Sequence, residues 1–456
     1  MHPIISDQKT DLLRDFTVTR RSILYGCVAS GIIAVPLPSV LAQTPQDSAT
    51  GAAEITVDRA RNEPIPIVIP DFGADTGVVL TQVLTNDLNN TGLFRVISST
   101  SPTSTPDFAS YKAMGARAIV TGSVAGGRVE FRLWNALTGQ QIQGTAYSMS
   151  NSGAINQDVR RVAHMIGDVI YERMLGEKGY FNTRIAYVSQ TGRRSNPTKR
   201  LAIMDYDGAN NRFLTDGKWL VLTPRFSPVS NQIAFMSYVN NRPRVYLFDL
   251  QSGRQQILGD FNGISFAPRF SPDGSKVVMS VTRGAGSDIF VVDLGSGSKR
   301  QLTSSGAIDT SPCYSPDGSQ IVFSSDRGGR QQLYIMSAAG GDAHRISYGN
   351  GSYANPVWSP RGDVIAFVRI GSGGFSLGVM APDGTGERIL TQGFTVESPS
   401  FCSNGRVMVF CNQSAAGVGG SGFSSSIHSI DVTGCNERSI PTSTFASGPS
   451  WSPSNT

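Results

Sequence analysis

The chain has 456 residues, 39% of them hydrophobic and only 16% charged, with a net charge of +5. That length holds more than one packed domain, and 50 Gly with 24 Pro fit turn-rich β structure rather than long charged helices or disorder. No basic stripe interleaved with aromatics is present, which argues against nucleic acid as a partner.

Residues 1–18 are a short polar leader. Thr19-Arg20-Arg21-Ser22-Ile23-Leu24 opens an apolar run to Leu41, and Val40-Leu41-Ala42 supplies small or apolar residues at a cleavage position. Residues 1–42 are therefore expected to be an export signal cut after Ala42. The arginine pair fits the twin-arginine type, and an ordinary Sec signal can also hold two arginines. Gly26, Gly31, Pro36 and Pro38 disfavour a retained anchor, and no later stretch is long and apolar enough to span a bilayer. The mature chain is expected to be exported, with no membrane span of its own. Residues 43–64 read as a mobile tail. Within it Glu54-Ile55-Thr56-Val57-Asp58-Arg59 alternates, and can add as a strand to the body or to a partner.

Residues 65–178 read as a small α/β domain. Ile65–Ile69 looks like a buried strand that Pro66 demotes towards an edge or a start. Asp75 or Thr76 can cap a helix to about Asn90, with Val79, Leu80, Val83, Leu84 and Leu88 on one face. Phe94–Ile97 is a strand, Phe108–Met114 a short helix and Ala118–Ser123 a strand. Arg128–Trp134 and Gln141–Tyr147 form a hairpin, and an amphipathic helix spans about Ile155 to Leu175. Gly176-Glu177-Lys178-Gly179 links this domain to the C-terminal part of the chain.

Residues 179–456 carry a repeat. Pro268-Arg269-Phe270-Ser271-Pro272-Asp273-Gly274 returns from Pro224, Pro312 and Pro356, more faintly from Pro399, and last from Pro449. Successive copies start 44, 44, 44, 43 and 50 residues apart, a period that marks a β-propeller with one four-stranded blade per unit. The aromatic two places after each proline (Phe226, Phe270, Tyr314, Trp358, Phe401, Trp451) is expected to pack against the neighbouring blade. Ser-Pro-Asp-Gly then makes a tight turn. The first unit, from Ile185, lacks its innermost strand, and the copy at Pro449 is an innermost strand with no blade after it. Six blades are predicted, the C-terminal strand completing the first, so that no sheet edge is left open between them.

Chemistry is sparse. Of His164, His344 and His428, none sits beside a second ligand type, and all three read as structural. No Gly-x-Ser-x-Gly elbow is present, and Asp205-Tyr206-Asp207-Gly208 lacks the acidic residue that would complete a calcium loop, so it reads as a turn. No catalytic, cofactor or metal residue is assigned. Cys313 and Cys402 read as buried thiols, while Cys411 and Cys435 share a blade and could pair. The signal then lies in a surface. If each innermost strand begins at its proline, the residues just before it ring one mouth of the channel: Thr223, Ala267, Ser311, Asn355, Ser398 and Gly448, with Phe266 and Thr310 beside them. A rigid ring of loops of mixed polarity suits a protein loop or peptide.

Export signal, α/β domain and six closing repeats together resemble the TolB family, the periplasmic propellers of the Tol–Pal system. The resemblance covers essentially all of residues 54–456. It implies a non-enzymatic scaffold in the periplasm that binds the lipoprotein Pal at a propeller mouth and TolA of the inner-membrane complex through its N-terminal segment. It further implies support of outer-membrane integrity and of constriction at cell division. By position the Pal-facing loops fall on Phe266-Ala267-Pro268 and Asp309-Thr310-Ser311, and the TolA-binding segment on Glu54 to Arg61. Three features depart from the pattern: eleven residues between Ala42 and Glu54, Arg361 where blade five should carry Asp, and Cys402-Ser403-Asn404 with a Gly/Ser-rich insertion in blade six. A propeller-type small-ligand binder or hydrolase is the alternative.

Overall fold

Two periodicities build the molecule, one of 3.6 residues confined to the first part and one of two residues repeated to the end. The computed structural model describes residues 63–454 except 74, 100–105, 150–154, 194–195 and 416–422; the export signal, the cut after Ala42 and the Glu54–Arg59 segment lie outside them.

The α/β part runs β1 (Ile65–Pro70), α1 (Thr76–Asn90), β2 (Phe94–Ser99), α2 (Phe108–Ala113), β3 (Ala118–Ala125), β4 (Arg128–Asn135), β5 (Gln141–Ser148) and α3 (Ile155–Leu175). The sheet order is β2-β1-β3-β4-β5, with β1 parallel to both its neighbours. Pro66 does not push β1 to an edge. It sits one residue before the short β1–β3 pairing, where only its carbonyl is needed, and Arg117 N donates to that oxygen at 2.9 Å. Leu80, Val83, Leu84 and Leu88 of α1 and Val159, Val162, Ile166 and Ile170 of α3 are buried in one core. Asp75 stands at the N-terminus of α1 with φ 51°, and its side chain makes no cap. Thr81 Oγ1, one turn inside, instead accepts from Phe72 N at 3.1 Å.

Six four-stranded sheets complete the chain, as the repeat count requires. Their innermost strands are Phe445–Trp451 (blade one), Val221–Phe226, Ser265–Phe270, Asp309–Tyr314, Ser352–Trp358 and Thr395–Phe401 (blade six). Blade one takes its other strands from Arg184–Arg193, Asn196–Asp205 and Arg212–Phe213. Phe445 pairs with Gln190 and Trp451 with Ile185, so the chain's end zips onto the propeller's beginning. Trp451 Nε1 donates to Thr183 Oγ1 at 2.7 Å, and Ser452 Oγ accepts from Arg184 N at 2.8 Å. Five of the six repeat aromatics are buried between blades, and Phe226 is half-buried. The Ser-Pro-Asp-Gly turns are tied as expected: Ser271 Oγ donates to Asp273, Ser275 N donates back to Asp273 Oδ1 at 3.0 Å, and Gly274 takes φ 68°.

The disulfide left open by the sequence is not formed. Cys411 is buried mid-strand with its thiol against Ser425 and Ala446 O, Cys435 is exposed in a turn at the end of the blade, and all four described cysteines are free. His164 is buried, whereas His344 lies in an exposed outer strand.

Candidate functional site

The innermost strands begin three or four residues before their prolines, not at them. The predicted mouth residues therefore stand inside the strands, and the register explains what they do there. In every blade two inner-strand residues oppose one residue of the second strand: Thr223-Pro224 face Phe235, Ala267-Pro268 face Met279, Ser311-Pro312 face Phe323, and Asn355-Pro356 face Phe367. Ser398-Pro399 face Phe410 and Gly448-Pro449 face Tyr187. This is a β-bulge repeated six times. Proline fits because the bulge leaves a position that donates nothing to the ladder. All six opposing side chains are no more than 1% exposed.

The residue before each proline pays for the bulge in backbone strain. Thr223, Ala267, Ser311, Asn355, Ser398 and Gly448 all have φ between 48° and 58°. For the five that are not glycine this left-handed conformation costs ~1–2 kcal/mol each. The residues in these bulges come close across blades: Ser311 Oγ donates to Asn355 Oδ1 at 3.2 Å. Thr223, Ala267, Ser311, Asn355 and Ser398 are half-exposed, as are Phe266, Thr310 and Glu397, while Asp309 is fully buried and held by Arg327 Nη2 at 2.9 Å. The structure thus brings the predicted mouth residues into one ring, except that Asp309 faces its own blade.

Sequence reasoning missed the rim above this ring. Ile264, Ile308, Phe394 and Phe445 are 41–54% exposed, and all stand where the chain enters an innermost strand. They belong to blades one, three, four and six and make an apolar collar, interrupted at blades two and five, at one end of the channel. The signal was present: Ile264, Ile308 and Phe445 each lie four residues before a repeat proline.

The other end of the ring carries the α/β part. Tyr206, in the turn between the last two strands of blade one, donates to Asp87 Oδ1 of α1 at 2.6 Å, and Asp87 Oδ2 lies 2.7 Å from His164 Nδ1 of α3. Arg160 of α3 pairs with Asp207 of the same turn and lies 3.9 Å from Asp205. Burial alone would lower His164, but the adjacent Asp87 charge and its hydrogen bond outweigh it and hold the imidazole above its usual range. Burial pushes Asp168 up to about 7 although Phe181 N and Asn182 N both donate to it. Asp87, His164 and Asp207 offer ligand atoms within 4.8 Å of one another. Asp87 already accepts from two donors and Asp207 is paired with Arg160, so the geometry is that of an interdomain latch rather than an open coordination site.

A family model described as the TolB amino-terminal domain matches residues 53–142, and one described as the TolB beta propeller domain matches residues 171–455. The chain belongs to the TolB family. It is 67% identical over 442 residues to the Tol-Pal system protein TolB of Gluconobacter oxydans, covering 96% of each chain, and 52% identical over 425 residues to that of Pelagibacter ubique, covering 88% of this chain and 94% of that one. The crystal structure of TolB from Acinetobacter baumannii superposes with a TM-score of 0.75 at 28% identity, covering 86% of this chain and 97% of that one.

Two departures from the repeat gain a reason in this TolB-family fold. Arg361 Nη2 donates to Glu177 Oε2 at 2.9 Å, and Asn404 Nδ2 donates to the Lys178 carbonyl at 2.6 Å. Where blades three and four place an aspartate that serves only its own turn, blades five and six use that position to grip the linker to α3. Asn436 Nδ2 adds a contact from blade six to the Asn90 carbonyl at 2.7 Å. The α/β part is thereby clamped over blades five, six and one, at the end away from the collar. Among the described residues no helix is long and apolar enough to cross a membrane.

Proposed function

We propose that this protein is a non-enzymatic periplasmic scaffold of the Tol–Pal system. It binds Pal at the collared mouth of the propeller and TolA through Glu54–Arg59, and so supports outer-membrane integrity and constriction during division. Residues 1–42 are removed on export, 43–64 form the tail, and the two domains meet at residues 178 and 179. The observation that carries the mouth assignment is the collar itself. Four exposed apolar residues on a frame made rigid by six bulges give a partner both a hydrophobic surface and a shape that needs no ordering on binding. Family membership makes Pal and TolA the partners to test.

The test is direct binding of purified Pal and TolA to the mature chain. Ala267→Arg, Thr310→Arg and Ile308→Asp are expected to weaken Pal binding at least about tenfold. The melting temperature should stay within about 2 °C of the parent, since surface changes are close to neutral. Deleting residues 54–61 should abolish TolA binding and leave Pal binding intact. Unchanged affinity in all three point variants would show that Pal docks elsewhere.

A further inference from the structure

One residue beyond each repeat proline lies a side chain at the seam between consecutive innermost strands. Three of these six positions latch the next blade. Ser450 Oγ accepts from Phe226 N at 3.0 Å, Ser400 Oγ accepts from Trp451 N at 3.0 Å, and Cys313 Sγ accepts from Trp358 N at 3.4 Å. Val357 fills a fourth position and is buried. The remaining two, on the adjacent blades two and three, are Arg225 and Arg269.

An arginine cannot accept the backbone N–H that serine or the thiol accepts. These two residues therefore do not serve as latches. Arg225 is only 9% exposed, and its Nη1 donates to the Pro224 carbonyl at 2.7 Å and reaches the Pro449 carbonyl at 3.5 Å. Arg269 is partly buried at the equivalent position of the neighbouring innermost strand, near enough for its charge to act on Arg225. Among the described residues no carboxylate pairs with either guanidinium. Burial, and then the nearby Arg269 charge, depress Arg225 well below the ordinary arginine range. Two like charges drawn out of water side by side are costly unless a counter-charge joins them. Their forks match the oxygens of a carboxylate or phosphate.

We propose that the channel holds a binding site for a small free oxyanion, of the phosphate or carboxylate class, between Arg225 and Arg269. The site lies on the far side of the bulge ring from the collar and does not depend on what docks on the rim. It neutralises the pair and ties blade two to blade three where the hydroxyl latch is missing.

The probe is inorganic phosphate, titrated into the mature chain by calorimetry and by thermal melting, with chloride at matched ionic strength as the control. Saturable heat and a rise in melting temperature of about 2–4 °C over chloride are expected. Arg269→Gln should weaken phosphate binding at least about tenfold, and Arg269→Lys, which keeps the charge and loses the fork, should fall between. Absence of saturable heat in the parent chain overturns the proposal without recourse to any variant. So does a phosphate response that Arg269→Gln and Arg225→Gln leave intact, since the anion would then sit elsewhere.

Discussion

Thr223 concentrates the strain of the mouth in one side chain. It is β-branched, held at φ 48°, and its Oγ1 is buried with no hydrogen-bond partner. Each of these is unfavourable, and both vanish with the side chain. Thr223→Gly is therefore expected to stabilise the folded chain by about 1 kcal/mol, read as a higher denaturant midpoint, after allowing for the entropy glycine gains when unfolded. A lower midpoint would mean that the Thr223 methyl contributes more than the strain removes. The pattern Pro-x-aromatic-Ser-Pro was plain in the sequence, and so were the residues preceding it. Their left-handed backbone was not, because threonine, alanine, serine and asparagine carry no shared signal for that conformation. The bulge exists only once the second strand places a phenylalanine, methionine or tyrosine opposite.

Helix α3 shows the same limit at the level of the element. Its extent from Ile155 to Leu175 followed from amphipathic spacing, but the role of His164 did not, since its partner Asp87 is 77 residues away on α1. The latch of Asp87, His164 and Tyr206 has a definite pH dependence. A histidine held above its unfolded value of ~6.5 contributes stability that is complete below that value and is lost as pH rises through the raised one. Asp168, raised from 3.8 to about 7, acts in the same sense, with its contribution lost between those values. The mature chain is thus expected to have a lower denaturant midpoint at pH 8 than at pH 6. His164→Ala should cost ~3–5 kcal/mol at pH 6, because it leaves Asp87 buried with a single donor, and should reduce the fall between pH 6 and 8 to the part that Asp168 supplies. A variant with the parent's slope would remove His164 from that role.

Closure belongs to the whole molecule. The strand Phe445–Trp451 inserts between blades six and two and completes a sheet begun some 260 residues earlier, pairing Trp451 with Ile185. A chain ending at Ser447 leaves blade one without an inner edge and deletes the buried Trp451, whose loss alone is worth ~3–5 kcal/mol. Its denaturant midpoint is expected to fall accordingly, and an unaltered midpoint would contradict the velcro-like closure. The number of blades, the order of domains and the partner of the last strand were all legible in the sequence, because each rests on a local motif repeated at a fixed interval. The sequence by itself determined a six-unit wheel and the family it belongs to. Only the tertiary structure decided where its surfaces lie: which end carries the apolar collar, which turns clamp the α/β part, and that Arg225 and Arg269 share one seam. Those are meetings between residues tens to hundreds of positions apart, and chain spacing holds no record of them until every blade has packed against the next.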